Sequence, residues 1–156
     1  MGVEPANVPS YKAAIDAGYP IDAFKAGTLA DGLAVPIVGA NAFKVARRYV
    51  DYSVTVSERR IAIAILRLLE LEKHVVEGGG GAAVAALLPG GPLYGKYDGK
   101  KVVAILSGGN IDTSMLGRVI ERGLAADGRL LRFTVVVSDR PGGIARLSQA
   151  FLDVGV

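Results

Sequence analysis

The chain has 156 residues, of which 51% are hydrophobic and 21% are charged, and its formal net charge is +3. This length allows one ordinary domain, or a domain and part of another, with a substantial core. The mixed charges form no basic cluster suited to nucleic acid, and the lack of cysteine excludes disulfides, thiol nucleophiles and zinc–thiolate sites.

The sequence carries no pattern for secretion or membrane insertion. The stretch MGVEPANVPS lacks the basic start and the apolar core of a signal peptide. The most hydrophobic stretch, Ile61–Leu71, is too short to span a bilayer and is interrupted by Arg67 and Glu70. We therefore expect no membrane contact and a cytoplasmic location. Because the chain starts like the tail of a strand and stops where a helix would lead into the next strand, we also expect truncation at both ends.

The first part of the chain predicts short elements joined by ordered loops. Prolines in residues 2–12 indicate a strand end followed by a loop, and the closing glycine of Ser10–Gly18 indicates a short helix. The many glycines and prolines of Tyr19–Pro36 predict an ordered loop. Helical spacing then predicts a helix over Asn41–Val50, followed by a short strand over Asp51–Val56.

A buried helix and a glycine-rich helix start follow. Thr55–Glu58 fits the S/T-x-x-E capping box, which predicts the start of a helix over about Val56–Lys73. That helix is apolar on nearly every face, which is typical of a helix packed on several sides. Gly78–Gly81 then separate a short apolar strand, ending at Glu77, from a second compact helix.

The next stretch predicts another strand and helix. Lys101–Leu106 is an unbroken apolar run, typical of a parallel strand covered on both faces, and Asp112–Ala125 has the pattern of a helix. Strands alternating with helices indicate an α/β layer fold, which we assign to residues 1–126.

A change of character near residue 127 predicts a second, small domain. Arg129–Asp139 is rich in β-branched residues and predicts a strand, an Arg-Pro-Gly-Gly stretch predicts a turn, and Ile144–Gly155 predicts an amphipathic helix. We therefore expect residues 130–156 to open a separate domain.

The turn Ser107-Gly108-Gly109-Asn110 lies where ligands bind in open α/β sheets, at the carboxyl end of a predicted parallel strand. Glycines allow close backbone approach, and the following helix start offers free amides. The spacing is not the G-x-S-x-G of a nucleophile elbow, and the only histidine, His74, is distant in sequence. We expect the serine to donate a hydrogen bond rather than attack a substrate, while a capping turn without a ligand stays open as the alternative.

The glycine run allows a second interpretation. Gly78-x-Gly80-x-x-Ala83 loosely fits the dinucleotide-binding template, and Asp98 lies roughly where a ribose-binding acid is expected. The strand that this template requires is barely four residues long, so the hypothesis is weak. Glu77 is either a surface residue at an element end or a carboxylate held near a ligand.

Four stretches together resemble one family. VEPANVPSY, GTLADGLAV, VVEGGGGAAVAALL and VVAILSGGNID are similar, in this order and spacing, to the pyridoxal-phosphate-dependent threonine/serine dehydratases, a fold type II group that includes serine racemase. The resemblance runs from about Val3 to Ala125. The tail RFTVVVSDRPGGIARLSQAFLDVGV resembles the first strand and helix of an ACT regulatory domain. The resemblance thus implies the C-terminal part of a catalytic domain, a parallel sheet flanked by helices, followed by the beginning of an α+β ACT-like domain.

The resemblance implies pyridoxal 5'-phosphate as cofactor and assigns its neighbours. Ser107 matches the serine that hydrogen-bonds the pyridine nitrogen, Glu77 the acidic residue near the ring and Gly32 the glycine beside it; Gly108 and Asn110 complete the expected set. A neutral serine leaves the ring less electron-withdrawing than an aspartate would, which favours quick loss of a β-hydroxyl. The implied reaction removes water from L-threonine or L-serine, and the resulting enamine hydrolyses to a 2-oxo acid, 2-oxobutanoate from threonine, and ammonia.

The resemblance also implies a cation site and an effector site. Glu4 and the Val8 carbonyl match two ligands of a divalent cation in relatives, although Ser10 stands at the position of the third ligand, an aspartate; a monovalent cation is the other candidate. An amino-acid effector is expected at the turn after the first ACT-like strand, next to Asp139, Gly142 and Gly143, whose backbone amides would face a carboxylate. A tight turn without an effector remains the alternative.

The Schiff-base lysine of the family falls before Val3 by the same match, so we expect it upstream of Met1. Covalent catalysis needs that amine. We therefore expect this chain alone to be inactive, with no catalytic residue of its own. A non-catalytic binding or regulatory role is the alternative function. Cut ends would expose apolar edges, so we expect association, most simply as a homo-oligomer.

Overall fold

A computed structural model describes residues 1–155. Within them the chain is mixed α/β, as predicted, with a two-stranded parallel sheet and six α-helices. Strand β1 is Gly2–Pro5 and strand β2 is Ser53–Val56, with Gly2 opposite Ser53 and Pro5 opposite Val56. The helices are α1 Ser10–Ala17, α2 Ala40–Ala46, α3 Glu58–Arg67, α4 Gly78–Leu87, α5 Thr113–Ala126 and α6 Gly143–Asp153, with a 3-10 turn at Asp31–Leu33 and a π turn at Leu68–Glu72.

Helix α3 is the centre of the core. Ile61 and Ile65 are fully buried, and α3 packs against both α4 and α5. Glycines bring the helices close together: a Cβ at Gly123 of α5 would stand 2.9 Å from the Ala62 carbonyl oxygen, and one at Gly81 of α4 would stand 3.2 Å from Ile65 Cγ1. The helix that the sequence predicted to be packed on several sides is therefore confirmed.

The predicted capping box is wrong by two residues. Thr55 pairs with Glu4 in the sheet, so its backbone is already committed to strand β2. Ser57 is the N-cap of α3 instead, and its hydroxyl accepts a hydrogen bond from the Arg60 amide at 3.4 Å. Glu58 therefore becomes the first residue of the helix, and its carboxylate is free to bond elsewhere.

The other predicted helices are present with shifted ends. Helix α1 starts at the predicted Ser10, but Ser10 is its first helical residue rather than its cap, and the left-handed Gly18 ends it at φ +84°. Helix α2 ends at Ala46, four residues before the predicted Val50. Asp112 is the N-cap of α5 and not its first residue.

Three predicted strands are absent from the described residues. Residues 101–106, residues 129–139 and the short stretch before Glu77 have no strand assignment. Val103 and Val136 are 89% and 94% exposed, although their sequence pattern is that of covered strands. A strand requires a neighbouring backbone for its amides and carbonyls, and within residues 1–155 the strands β1 and β2 bond only to each other.

An ion-pair cluster joins α3 to the residues that follow α5. Arg67 bonds both Asp127, at 2.8 Å, and Glu70, at 3.1 Å. Arg129 bonds the same two carboxylates, each at 2.8 Å. The start of the C-terminal stretch is thereby held on the end of the central helix. No helix of the described residues is both long enough and apolar enough to cross a membrane.

We expect the cap of α5 to make stability depend on pH. Hydrogen bonds from the Ser114 hydroxyl, the Met115 amide and the Ser114 amide hold the pKa of Asp112 below its ordinary value of 3.8. A lowered folded-state pKa means that this contribution is complete above the unfolded value and is lost as the pH falls through the folded value. Asp112→Asn keeps a capping side chain and removes the titration.

Thermal unfolding between pH 6 and pH 2 checks this expectation. The parent chain should lose more melting temperature on acidification than Asp112→Asn, with the difference appearing only below about pH 4. Equal losses in the two proteins would contradict the assignment of the cap.

Candidate functional site

The first turn of α4 is in direct contact with two other backbone segments. A Cβ at Gly78 would overlap the Leu29 carbonyl oxygen, and one at Gly80 would overlap the Ser107 carbonyl oxygen. Only glycine allows such an approach. The glycine run therefore brings the loop before Gly32 and the turn at Ser107 onto the same end of one helix.

Glu77 lies at the point where these segments meet. Its amide donates to the Gly108 carbonyl at 3.1 Å, which fixes the turn after Ser107 against the start of α4. Its carboxylate oxygen Oε1 is bordered by glycines: a Cβ at Gly32 would lie 3.4 Å from it and one at Gly79 3.7 Å, while one at Gly108 would overlap it. Gly108 also has φ +84°, so both the close contact with Glu77 and the left-handed backbone require glycine at this position.

The carboxylate of Glu77 has no role in capping the helix that it precedes. Glu77 is the N-cap of α4, yet its side chain accepts no capping hydrogen bond. It is half-buried and adjoins bare glycine backbone on several sides. Its position is therefore set by packing, which leaves the carboxylate available to a ligand.

Ser107 is exposed and lines a cavity of about 280 Å³. The cavity wall is largely apolar and includes Val3, Leu33 and Ala82, and Gly79 brings the cavity to the Glu77 side. The serine is thus outside the packed interior. The turn runs on through Asp112 into α5, so the predicted order of turn and helix is confirmed, while the strand before it is not.

Met1 lines the same cavity as Ser107. It is 46% exposed and leads directly into strand β1. The Schiff-base lysine was expected upstream of Met1, and the residues that line this cavity include no lysine. The location of that lysine stays a prediction.

The structure brings four of the predicted site residues together: Ser107, Gly108, Gly32 and Glu77. Asn110 is exposed, and its side chain has no hydrogen-bond partner among residues 1–155, so the contacts of the site do not include it. The arrangement offers a flat surface without side chains, a hydroxyl on one segment and a carboxylate on another. Such a surface suits a planar ring, which can lie against backbone.

The geometry does not favour the dinucleotide hypothesis. Gly78 and Gly80 belong to the first turn of α4, where each packs on another carbonyl, and no strand precedes them in the described part of the chain. The backbone of Leu29 and of Ser107 fills the space next to these two glycines.

Two side chains that sequence analysis did not single out hold the loop carrying Gly32. Glu58 Oε2 accepts from the Leu29 amide at 2.6 Å, and Asn7 Nδ2 donates to the Gly27 carbonyl at 2.6 Å. The predicted capping box included Glu58, but it assigned the Glu58 carboxylate to the backbone amide of Thr55. A bond across 29 positions leaves no local pattern in the sequence.

Glu4 caps helix α1 in the structure. Its carboxylate accepts from the amides of Tyr11, at 2.7 Å, and Lys12, at 2.8 Å, and from the Ser53 hydroxyl at 2.9 Å. Val8 and Ser10 are buried next to this helix start. A cation at Glu4 would compete with these donors, and the described residues hold no group of three or more acidic or histidine side chains arranged for a metal.

The predicted effector residues share one cavity. Asp139, Gly142 and Gly143 line a space of about 380 Å³ at the start of α6. Gly142 has φ +88°, which turns the chain into the helix. The effector site itself stays a prediction.

Comparison with known proteins identifies relatives of the whole chain. Residues 1–108 match the family described as "Pyridoxal-phosphate dependent enzyme". An L-threonine ammonia-lyase from Thermotoga maritima is 41% identical over 99% of this chain and 38% of its own length. A second one, from Geobacter sulfurreducens, is 44% identical over 95% of this chain and 36% of its own length. The chain thus spans little more than a third of these curated relatives.

Solved structures show the same fold. The processed form of threonine deaminase isoform 2 from Solanum lycopersicum is similar over 78% of this chain and 35% of that chain, with a TM-score of 0.68 and 30% identity. Serine racemase from Dictyostelium discoideum is similar over 70% of this chain and 34% of that chain, with a TM-score of 0.61 and 30% identity.

We expect Gly80→Ala to displace the Ser107 turn. The new methyl group would overlap the Ser107 carbonyl, and overpacking of this kind costs about 1–3 kcal/mol. Hydrogen exchange of the peptide over residues 106–109 should quicken, and the free energy of unfolding should fall.

Gly117→Ala is the matched control. Gly117 is an exposed glycine inside α5, and a Cβ there meets nothing within 4 Å. This substitution should stabilise the chain by up to about 1 kcal/mol and leave residues 106–109 unchanged. If Gly80→Ala were as harmless as Gly117→Ala, the close contact on α4 would be disproved.

Proposed function

Because the chain belongs to the pyridoxal-phosphate-dependent enzyme family, we propose that it supplies one side of the cofactor site of a threonine ammonia-lyase. The observation that carries the proposal is the convergence of Ser107, Glu77 and Gly32 at the start of α4. The names of the two relatives described above support threonine as the substrate, with serine as the second candidate. The products would be 2-oxobutanoate and ammonia.

The residues present fit a planar, ring-nitrogen cofactor. Gly32, Gly79 and Gly108 leave the surface around the Glu77 carboxylate without side chains, so a flat ring can approach the backbone. The cavity next to Ser107 has a largely apolar wall, which would pack against the face of such a ring. When bound, pyridoxal phosphate supplies the electron sink for loss of the proton on the substrate's α-carbon.

Ser107 would donate its hydroxyl hydrogen to the ring nitrogen. A hydroxyl offers one hydrogen bond and no charge, whereas an aspartate would hold a proton on that nitrogen. The Glu77 amide keeps this turn in place through its bond to the Gly108 carbonyl. Glu77 would orient the ring from its own side, and no residue of the chain is assigned the transfer of a proton from substrate.

We propose that the Schiff-base lysine comes from a segment upstream of Met1. The lysines whose bonds are seen in the structure are engaged elsewhere: Lys12 pairs with Asp16 at 2.6 Å, and Lys73 donates to the Glu70 carbonyl at 2.5 Å. Because Met1 lines the cavity next to Ser107, a segment joined ahead of it would start at the site. The chain alone would therefore bind the cofactor weakly or not at all and would catalyse no elimination.

We also propose two domains, with residues 1–126 in the catalytic part and residues 130–156 at the start of an ACT-like regulatory domain. The family match stops at residue 108, and Phe151 of α6 packs against Phe133 in a tilted arrangement with ring centroids 5.5 Å apart. An amino-acid effector would bind in the cavity at Asp139, Gly142 and Gly143.

Association and location are proposed on simpler grounds. Exposed apolar side chains, including Val103, Ile105 and Leu131, support association into a homo-oligomer. The absence of cysteine supports a cytoplasmic location. A divalent or monovalent cation at Glu4 and Val8 rests on the family resemblance alone.

A chimera tests the proposed reaction. The residues of the Thermotoga maritima relative that precede its match to this chain are joined to the start of this chain, ahead of Met1. The chimera should release ammonia and 2-oxobutanoate from L-threonine. This chain alone, mixed with pyridoxal phosphate and borohydride, should be labelled only non-specifically at its exposed lysines, with no one lysine labelled in preference to the others. A folded chimera that binds the cofactor without releasing ammonia would favour the non-catalytic alternative.

Ser107→Ala in that chimera tests the hydroxyl. Loss of one neutral hydrogen bond, about 0.5–1.5 kcal/mol, should lower kcat by roughly 2- to 10-fold. Ser148→Ala, on an exposed face of α6, serves as the control and should leave the rate unchanged. Equal rates in the two variants would show that Ser107 has no part in the reaction.

A further inference from the structure

The Glu58 carboxylate makes a long-range contact that helix capping does not explain. Ser57 already caps α3, so the amide of Arg60 has its partner. Glu58 Oε2 instead accepts from the amide of Leu29 at 2.6 Å, a short bond to a charged acceptor. Its other oxygen, Oε1, is buried without a hydrogen-bond partner among residues 1–155.

The loop that Glu58 holds is the one that carries Gly32. Leu29 and Ala30 pack directly on Gly78, where even a methyl group would overlap their backbone atoms. Ala30 is fully buried and belongs to the core around α3. The 3-10 turn Asp31–Leu33 begins at the next residue, so its position follows from the two contacts before it.

Stability alone does not account for a carboxylate at this position. Burying one oxygen without a partner costs free energy, and a single hydrogen bond recovers only part of it. The positive end of the α3 dipole offsets some of that cost, since Glu58 is the first residue of the helix. What the carboxylate provides beyond an apolar side chain is a directional acceptor for the Leu29 amide.

We propose that Glu58 is a positioning residue for the cofactor site. Its carboxylate bonds the Leu29 amide at the start of α3, and the Leu29 backbone also packs on Gly78 of α4. These two contacts together place Gly32 next to the Glu77 carboxylate. The consequence for a cofactor rests on the proposed function, whereas the hold on the loop does not. Without Glu58 the face of the site at Gly32 would open, while the hydrogen bond from the Glu77 amide to the Gly108 carbonyl would remain.

Hydrogen exchange on this chain tests the hold directly. Glu58→Ala should quicken exchange of the peptide over residues 28–33 by about 10-fold or more, because the Leu29 amide loses its acceptor. Glu58→Gln, whose amide oxygen can still accept, should restore most of the protection. Peptides from α5 should exchange as in the parent chain.

Glu72→Ala is the matched control. Glu72 is an exposed glutamate at the end of the same helical stretch, and its side chain makes no ion pair within the described residues. The proposal is overturned if Glu58→Ala leaves residues 28–33 as protected as Glu72→Ala does. It is also overturned if Glu58→Ala quickens exchange equally throughout, since that would show a general structural role.

Cofactor binding by the chimera gives the second measurement. Titration with pyridoxal phosphate, followed by absorbance, should show about 10-fold weaker binding for Glu58→Ala and near-parent binding for Glu58→Gln. In the ammonia-release assay, Glu58→Ala should change kcat less than it changes KM for L-threonine. Unchanged binding in Glu58→Ala would overturn the link to the site. A parent chimera that binds no cofactor would refute the proposed function, and the exchange measurement would still decide the role of Glu58 in holding the loop.

Discussion

The close packing of backbone on the first turn of α4 is the constraint on which the site depends. Gly78 admits the Leu29 carbonyl and Gly80 admits the Ser107 carbonyl, and any side chain at either position would push one of these segments away. Glycine is a costly residue within a helix, by about 1 kcal/mol relative to alanine. The free energy lost there is recovered through packing that brings two distant loops to one helix end. The glycine run therefore assembles the site through close backbone packing.

The sequence predicts the residues of the site better than the contacts that hold them in place. The sequence predicts Ser107, Gly108, Gly32 and Glu77 as site residues, and the structure brings them together through close contacts at glycines. Local capping and periodicity also located the helices to within a few residues. What the sequence could not show was the side chain that ties one loop to another. The bond from the Leu29 amide to a helix that begins 29 residues later has no local signature.

Three of the predicted strands are absent from residues 1–155 for a related reason, although the strand predicted over Asp51–Val56 is present as β2. An apolar run such as residues 101–106 indicates side chains that suit a covered sheet. It does not indicate which backbone segment would pair with it. A helix closes its hydrogen bonds within itself, so α3 and α5 form wherever their own sequence allows. A strand closes them only with another segment, and in residues 1–155 the ladder is limited to β1 and β2. Pattern alone therefore predicts helices more safely than strands in this chain.

Helix α3 binds two distant segments of the chain through its two end residues. Its first residue, Glu58, holds the loop at Leu29, and its last residue, Arg67, holds Asp127 at the start of the C-terminal stretch. Between them Ile61–Leu66 is buried, and interiors packed at this density deform little. The position of Gly32 and the point where the chain leaves α5 are consequently both fixed to one rigid element. The polar groups at the two ends of this helix thus give each segment a directional partner, which packing alone does not supply.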